Sequence, residues 1–229
     1  GNASVGEFVK EGKLNALVQD EIPAAPEAYD YTFVWMSDTQ YYSESYPYIF
    51  DRMTKWIVEN QDALKIKYVL HTGDLVDESD KEYQWNNANS FMKTLDDANI
   101  PNGVLAGNHD VDHKTADYTN YYRYFGEKRY KDRLHYGGSY KNNRGHYDLI
   151  SAGGNDYIIV YMGWGIGSEE IAWINRVLES HPDRKAILCF HEYLQASGTR
   201  HPTGDKLYKE VVVPNKNVFA VLSGHYHEA

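Results

Sequence analysis

From Tyr31 onward, short apolar runs alternate with longer segments whose apolar residues recur at helical spacing. The runs at 31–36, 66–70, 104–106, 157–162, 186–190 and 218–222 are rich in β-branched or aromatic side chains, which predicts largely buried strands. Between them, Ile49, Met53, Trp56 and Ile57 fall at i, i+4, i+7 and i+8, and Trp85, Ala88, Met92 and Leu95 at i, i+3, i+7 and i+10. Each set predicts a helix with one apolar face. A third helix is expected from Ser168 as its cap, with Glu169 and Glu170 in the positive first turn. It would bury Ile171, Ile174 and Leu178 and stop before Pro182. Strands and helices in alternation predict an α/β layered fold.

Two stretches break the pattern. Residues 118–147 mix tyrosines with Arg123, Arg129, Arg133 and a Gly137-Gly138 turn, and read as an irregular insertion. At the start, Val5, Phe8, Val9, Leu14, Leu17 and Val18 give a weak helical pattern, and Pro23 and Pro26 among alanines give a linker. The expected organisation is a helix-plus-linker appendage over 1–28 and one domain over 29–229, which suits a length of 229 residues.

Charge narrows the chemistry. Lys plus Arg total 23 against 33 Asp plus Glu, a formal −10, so the chain has no general attraction for phosphate backbones. Nucleic acid is therefore an unfavoured partner, and any anion must be held by local chemistry such as a metal. No stretch reaches the roughly 20 apolar residues of a membrane helix. The single cysteine, Cys189, sits between Leu188 and Phe190 and reads as a small buried core residue. The start, Gly1-Asn2-Ala3-Ser4, shows no signal-peptide pattern.

Five of the strands run directly into chemistry-bearing residues. The first leads into Asp38-Thr39-Gln40, the second into Gly73-Asp74-Leu75-Val76-Asp77, the third into Gly107-Asn108-His109-Asp110, the fifth into His191-Glu192, and the last into Gly224-His225-Tyr226-His227. In open α/β sheets the carboxyl edge is where ligands bind, so these residues can converge. Carboxylate and amide oxygens with imidazole nitrogens, and no thiolate, suit borderline divalent ions such as Mn, Fe or Zn. His71, Asp110 and Glu192 sit close enough to the blocks to support the ligands. Tyr41 and Tyr226 could wall a base or sugar.

In that order and spacing the blocks resemble the calcineurin-like metallophosphoesterase family, whose pattern is D-x-H, G-D-x-x-D, G-N-H-D/E, a lone H, and G-H-x-H. The resemblance spans residues 31–227. It implies a four-layer sandwich of two mixed β-sheets flanked by helices, with two divalent metal ions at one edge. One ion would be held by Asp38, Gln40, Asp74 and His227, the other by Asp74, Asn108, His191 and His225, with Mg as a further candidate metal. The implied activity is hydrolysis of a phosphodiester, phosphomonoester or pyrophosphate by a metal-bridging hydroxide. His109 would be the general acid and Asp77 the residue that orients it. The departure is Gln40, where the larger family has His. A branch similar to ADP-ribose/CDP-alcohol diphosphatases shares it, and the harder oxygen donor implies a drift toward Mn and a more labile first ion.

The family normally continues with further strands, whereas this chain stops two residues after His227. A C-terminally truncated fragment of a longer protein with other domains is expected, with the Asp38/Gln40/His227 ion the less occupied. The alternative is a catalytically weak, metal-stabilised binding or surface module. Glu78-Ser79 stands where protein phosphatases of the family usually have Arg-Gly, which disfavours that activity. The tyrosine-rich composition is compatible with an extracellular or cell-surface bacterial protein acting on a small phosphorylated substrate.

Overall fold

The computed structural model describes residues 28–112 and 114–226; the helix and most of the linker expected before Tyr29, His113, and His227 with its two successors lie outside them. In chain order the elements are β1 (Thr32–Met36), α1 (Gln40–Glu44), α2 (Pro47–Glu59), β2 (Ile66–His71), α3 (Glu82–Asp97), β3 (Asn102–Val104) and α4 (Thr119–Phe125). They continue with β4 (Tyr136–Tyr140), β5 (Gly145–Ala152), β6 (Asn155–Met162), α5 (Ser168–Glu179), β7 (Lys185–Phe190), α6 (Pro202–Leu207) and β8 (Val218–Ser223). One sheet has the order β1-β2-β3 and the other β4-β5-β6-β7-β8. Among the described residues the first sheet is wholly parallel and only the second is mixed: β4, β5 and β6 pair antiparallel, β6, β7 and β8 parallel.

Period-2 alternation sorts the side chains into three apolar layers. On β2, Val69 packs with α2 and α3 residues such as Phe50, Ile57, Trp85 and Met92, while Tyr68 and Leu70 point the other way. They meet Ile159, Tyr161, Ile187 and the buried Cys189 between the sheets. On the far side of the second sheet, Ile158, Val160, Leu188 and Phe190 cover Ile171, Ile174 and Leu178 of α5. Each such side chain contributes about 1.5–3 kcal/mol when fully buried. The resulting order is helices, sheet, sheet, helices.

Three local expectations are corrected. Residues 118–147 are not an irregular insertion: they supply α4, β4 and the start of β5. Gly137 belongs in β4 because a Cβ there would lie 2.1 Å from the Tyr147 ring, which covers the bare backbone. The third strand is 102–104 rather than 104–106, because the ladder pairs Val69 with Asn102 and His71 with Val104. Gly103, a poor strand former, is required there, since a Cβ would come within 2.5 Å of the Tyr68 hydroxyl. Helix α5 is capped at Gly167, not Ser168, and the Glu170 carboxylate accepts the Gly167 N–H at 2.9 Å.

Register positions the site. Met36 pairs with His71 and His71 with Val104, while Met162 pairs with Phe190 and Phe190 with Ser223. The parallel strands of each sheet therefore end level, and their outgoing loops start at one height.

Candidate metal centre

Each outgoing loop is tied to a neighbour by its backbone. The Asp38 N–H donates to Gly73 O at 3.0 Å, the His109 N–H to Asp74 Oδ1 at 3.0 Å, the Gly224 N–H to His191 O at 3.1 Å and the His225 N–H to Asp38 Oδ1 at 3.0 Å. The last bond joins β8 of one sheet to β1 of the other. Asp38 (φ 54°), Asp74 (φ 54°) and His225 (φ 77°) all lie in the left-handed backbone region. Non-glycine residues rarely stay there, and the cost of order 1–3 kcal/mol each is characteristic of functional positions.

Glycine permits the close approach. A Cβ on Gly107 would sit 2.1 Å from Asp74 Oδ1, and one on Gly224 would sit 2.3 Å from Asp38 Oδ2. Both carboxylates are thus pressed against bare backbone of the next loop.

At the centre, ligand-type atoms of Asp74, His191 and His225 all lie within 4.8 Å of one another. His191 Nδ1 donates to Thr72 O at 2.8 Å, which fixes the tautomer and turns Nε2 to the site. That nitrogen is 3.2 Å from Asp74 Oδ2 and 3.1 Å from Asn108 Oδ1. Burial works against charge on His191, but the Asp74 hydrogen bond and field outweigh it and raise its pKa to about 9. Asp74 likewise stays below the usual carboxylate range against its burial, because His191 and His109 stabilise the anion. Burial, then the nearby His191, lowers the pKa of His225.

Gln40 opens α1 and is buried. Its Nε2 is 3.5 Å from Asp74 Oδ2, and its Oε1 is a buried oxygen with no hydrogen-bond partner. Such an orphan is costly unless a ligand or ion meets it. The orphaned oxygen, the left-handed ligand positions and the mixed nitrogen and oxygen donor set fit divalent cations.

His109 and Asp77 form a separate pair at the rim. His109 Nδ1 lies 2.8 Å from Asp77 O and 3.2 Å from Asp77 Oδ1. Asp110, adjacent in sequence, pins the loop: its carboxylate accepts the Val76 N–H at 2.9 Å and the Gly107 N–H at 2.8 Å. Burial, then the neighbouring Asp74, pushes its pKa up to about 8.

Of the residues expected at the centre, Asp38, Gln40, Asp74, Asn108, His191 and His225 are brought to one place, with His109 and Asp77 beside them; His227 lies outside the described residues. Tyr41 is half exposed on α1, and Tyr226 packs edge-on against His225 at 4.6 Å. The sequence reading missed Trp164, whose ring stands 5.3 Å from His225 and 5.9 Å from His191. The signal was available, since Gly163-Trp164-Gly165 also comes directly after a strand, β6.

The sequence pattern of the calcineurin-like phosphoesterases matches residues 31–229. The chain is 63% identical over 223 residues to the uncharacterized protein YvnB of Bacillus subtilis (strain 168), a match covering 97% of this chain and 17% of that protein. It thus spans about one sixth of the length of that relative. Among solved structures, a purple acid phosphatase, PPD1, from yellow lupin (Lupinus luteus) seeds superposes with a TM-score of 0.59 at 17% identity, over 90% of this chain and 39% of that one. A dimetal phosphatase from Danio rerio superposes with a TM-score of 0.57 at 12% identity, over 86% and 82% of the two chains. These likenesses establish the shared fold, and the sequence match over the whole described domain establishes that the chain belongs to the calcineurin-like phosphoesterase family.

Proposed function

We propose that this domain is a two-metal hydrolase of phosphoester bonds. Asp38, Gln40, Asp74 and His227 would hold one ion, and Asp74, Asn108, His191 and His225 the other. The observation that supports this most directly is the convergence of donors from five strand ends on Asp74, together with the unpartnered Gln40 Oε1. Two divalent ions held there supply Lewis acidity toward the phosphoryl oxygens and make water a competent nucleophile at neutral pH.

The chain's own residues supply the rest. Asp77 accepts from His109 Nδ1 through both its carbonyl and its carboxylate, which orients the ring and turns Nε2 outward. His109 Nε2 then delivers a proton to the departing oxygen. The His109 N–H also holds Asp74 Oδ1, so the loop that carries the acid and the loop that carries the central carboxylate are tied together at fixed spacing. Phosphodiester, phosphomonoester and pyrophosphate are all compatible with this division of labour.

Hydrolysis of bis-p-nitrophenyl phosphate across Mn, Fe, Zn and Mg, in parent and His109→Ala proteins, tests the reading. Metal-dependent turnover is expected, with Mn the most effective ion because Gln40 offers oxygen, and the variant should lose far less on this activated ester than on an alkyl phosphodiester. Metal uptake with no turnover on any ester would point instead to a metal-stabilised binding module.

A further inference from the structure

Beside His191 a cleft of about 190 Å³ opens, walled by Trp164, Ile166, Glu192 and Thr203. Among the described residues no lysine or arginine lines it, and its acidic side chain is the Glu192 carboxylate. Resting on the phosphoesterase reading above, we propose that this cleft receives one ester arm of the substrate and favours an arm that carries an ammonium group.

Trp164 is a rigid wall. Its backbone N–H donates to Ala106 O at 2.9 Å, its backbone carbonyl accepts from the Tyr118 hydroxyl at 2.7 Å, and Arg144 Nη2 donates to the next carbonyl, Gly165 O, at 2.7 Å. The backbone that carries the indole is thus held at three points. Its distances to His191 and His225 set the aromatic surface directly alongside the donor cluster.

Glu192 shares its nearest nitrogen with a helix cap. Its Oε2 lies 3.1 Å from His201 Nδ1, but that nitrogen also accepts the Thr203 N–H at 3.2 Å, where it caps α6. One ring nitrogen cannot accept from Thr203 and donate to Glu192 together. With Nδ1 serving the cap, the carboxylate keeps the Tyr226 hydroxyl at 3.5 Å, and His225 Nε2 stands 4.0 Å away. A largely buried carboxylate facing a cleft beside an aromatic ring suits a cation, which gains from the ring face and from the charge. A second anionic group would meet Glu192 as a like charge, and an apolar arm would desolvate it without repayment.

The test is calorimetric binding of two probes, O-phosphocholine and ethyl phosphate, to the Mn-loaded protein at equal ionic strength. They share the phosphate and differ in the ammonium. The parent should bind phosphocholine about tenfold more tightly, the scale of one desolvated cation–aromatic and charge contact. Glu192→Gln, which keeps the shape, should abolish most of that preference, and Trp164→Leu should reduce it several-fold. Equal affinities in the parent, no phosphocholine binding, or a preference that survives Glu192→Gln would overturn the assignment. Turnover of bis-p-nitrophenyl phosphate reports the hydrolase reading separately. Turnover without the ammonium preference removes the cleft assignment alone, and preference without turnover removes the hydrolase reading and keeps the cleft.

Discussion

His71 Nε2 lies 2.9 Å from Thr39 Oγ1, while its Nδ1 accepts the Gly73 N–H at 3.2 Å. One fully buried imidazole therefore links the loop that carries Asp38 and Gln40 to the loop that carries Asp74. Accepting at Nδ1 requires the proton on Nε2, so the ring works as a neutral clamp. Burial lowers its pKa to about 3 from 6.5, with the nearby Asp74 opposing and His191 assisting.

This has a pH consequence. Between pH 6.5 and about 3 the unfolded chain binds a proton that folded His71 refuses, so stability falls as pH drops through that window. His71→Gln cannot titrate and should show a shallower decline. Urea unfolding of metal-free parent and variant at pH 7, 5 and 4 reads the difference in slope, and parallel slopes would contradict it.

Replacing His109 by Ala should leave metal content unchanged and cut kcat by roughly 10²- to 10⁴-fold on alkyl phosphodiesters with poor leaving groups. The penalty should shrink on p-nitrophenyl esters, whose leaving group needs less help. A variant at full rate on an alkyl diester would remove His109 from the mechanism.

The two cradle glycines should behave differently. Gly107→Ala drives a methyl into Asp74, proposed as the shared ligand, so both ions should be lost, whereas Gly224→Ala strikes Asp38 and should weaken one ion preferentially. Metal-to-protein ratios after dialysis separate these outcomes, and two variants that keep both ions would contradict the placement of the carboxylates.

Away from the site, Asp96 at the end of α3 takes Arg129 Nη2 at 2.9 Å, Arg133 Nη2 at 2.8 Å and Asn102 Nδ2 at 2.8 Å. Although burial opposes it, Arg133, Arg129 and Asn102 together lower its pKa. The stabilisation is present at neutral pH and is lost as acid protonates Asp96. Asp96→Asn should cost about 3 kcal/mol, at the low end for breaking a buried pair, because both guanidinia keep some contact with water. Denaturant melts at pH 7 measure this, and a change under about 0.5 kcal/mol would show the cluster to be a surface ornament.

The blocks after the strands were legible because apolar runs, glycines and chemistry-bearing residues sit side by side in sequence. The helices with clean apolar faces were equally visible. What escaped were β4 and β5, where Gly137 and Gly138 disguise a strand whose surface is completed by Tyr147 from its neighbour. Trp164 comes just after β6 but escaped because an aromatic between glycines is not a ligand type; what sets it beside the donors is the pairing of β6 with β7. The His201–Glu192 relation was hidden for the same reason, since α6 folds back over the β7 loop to bring them together.

The central claim is that Asp74 lies between two cations. Crystals grown with Mn and measured at the Mn absorption edge should show two anomalous peaks about 3.5–4 Å apart, flanking the Asp74 carboxylate, with Gln40 beside one and His191 beside the other. Peaks elsewhere on the protein, or a centre that remains intact in Asp74→Ala, would contradict the account.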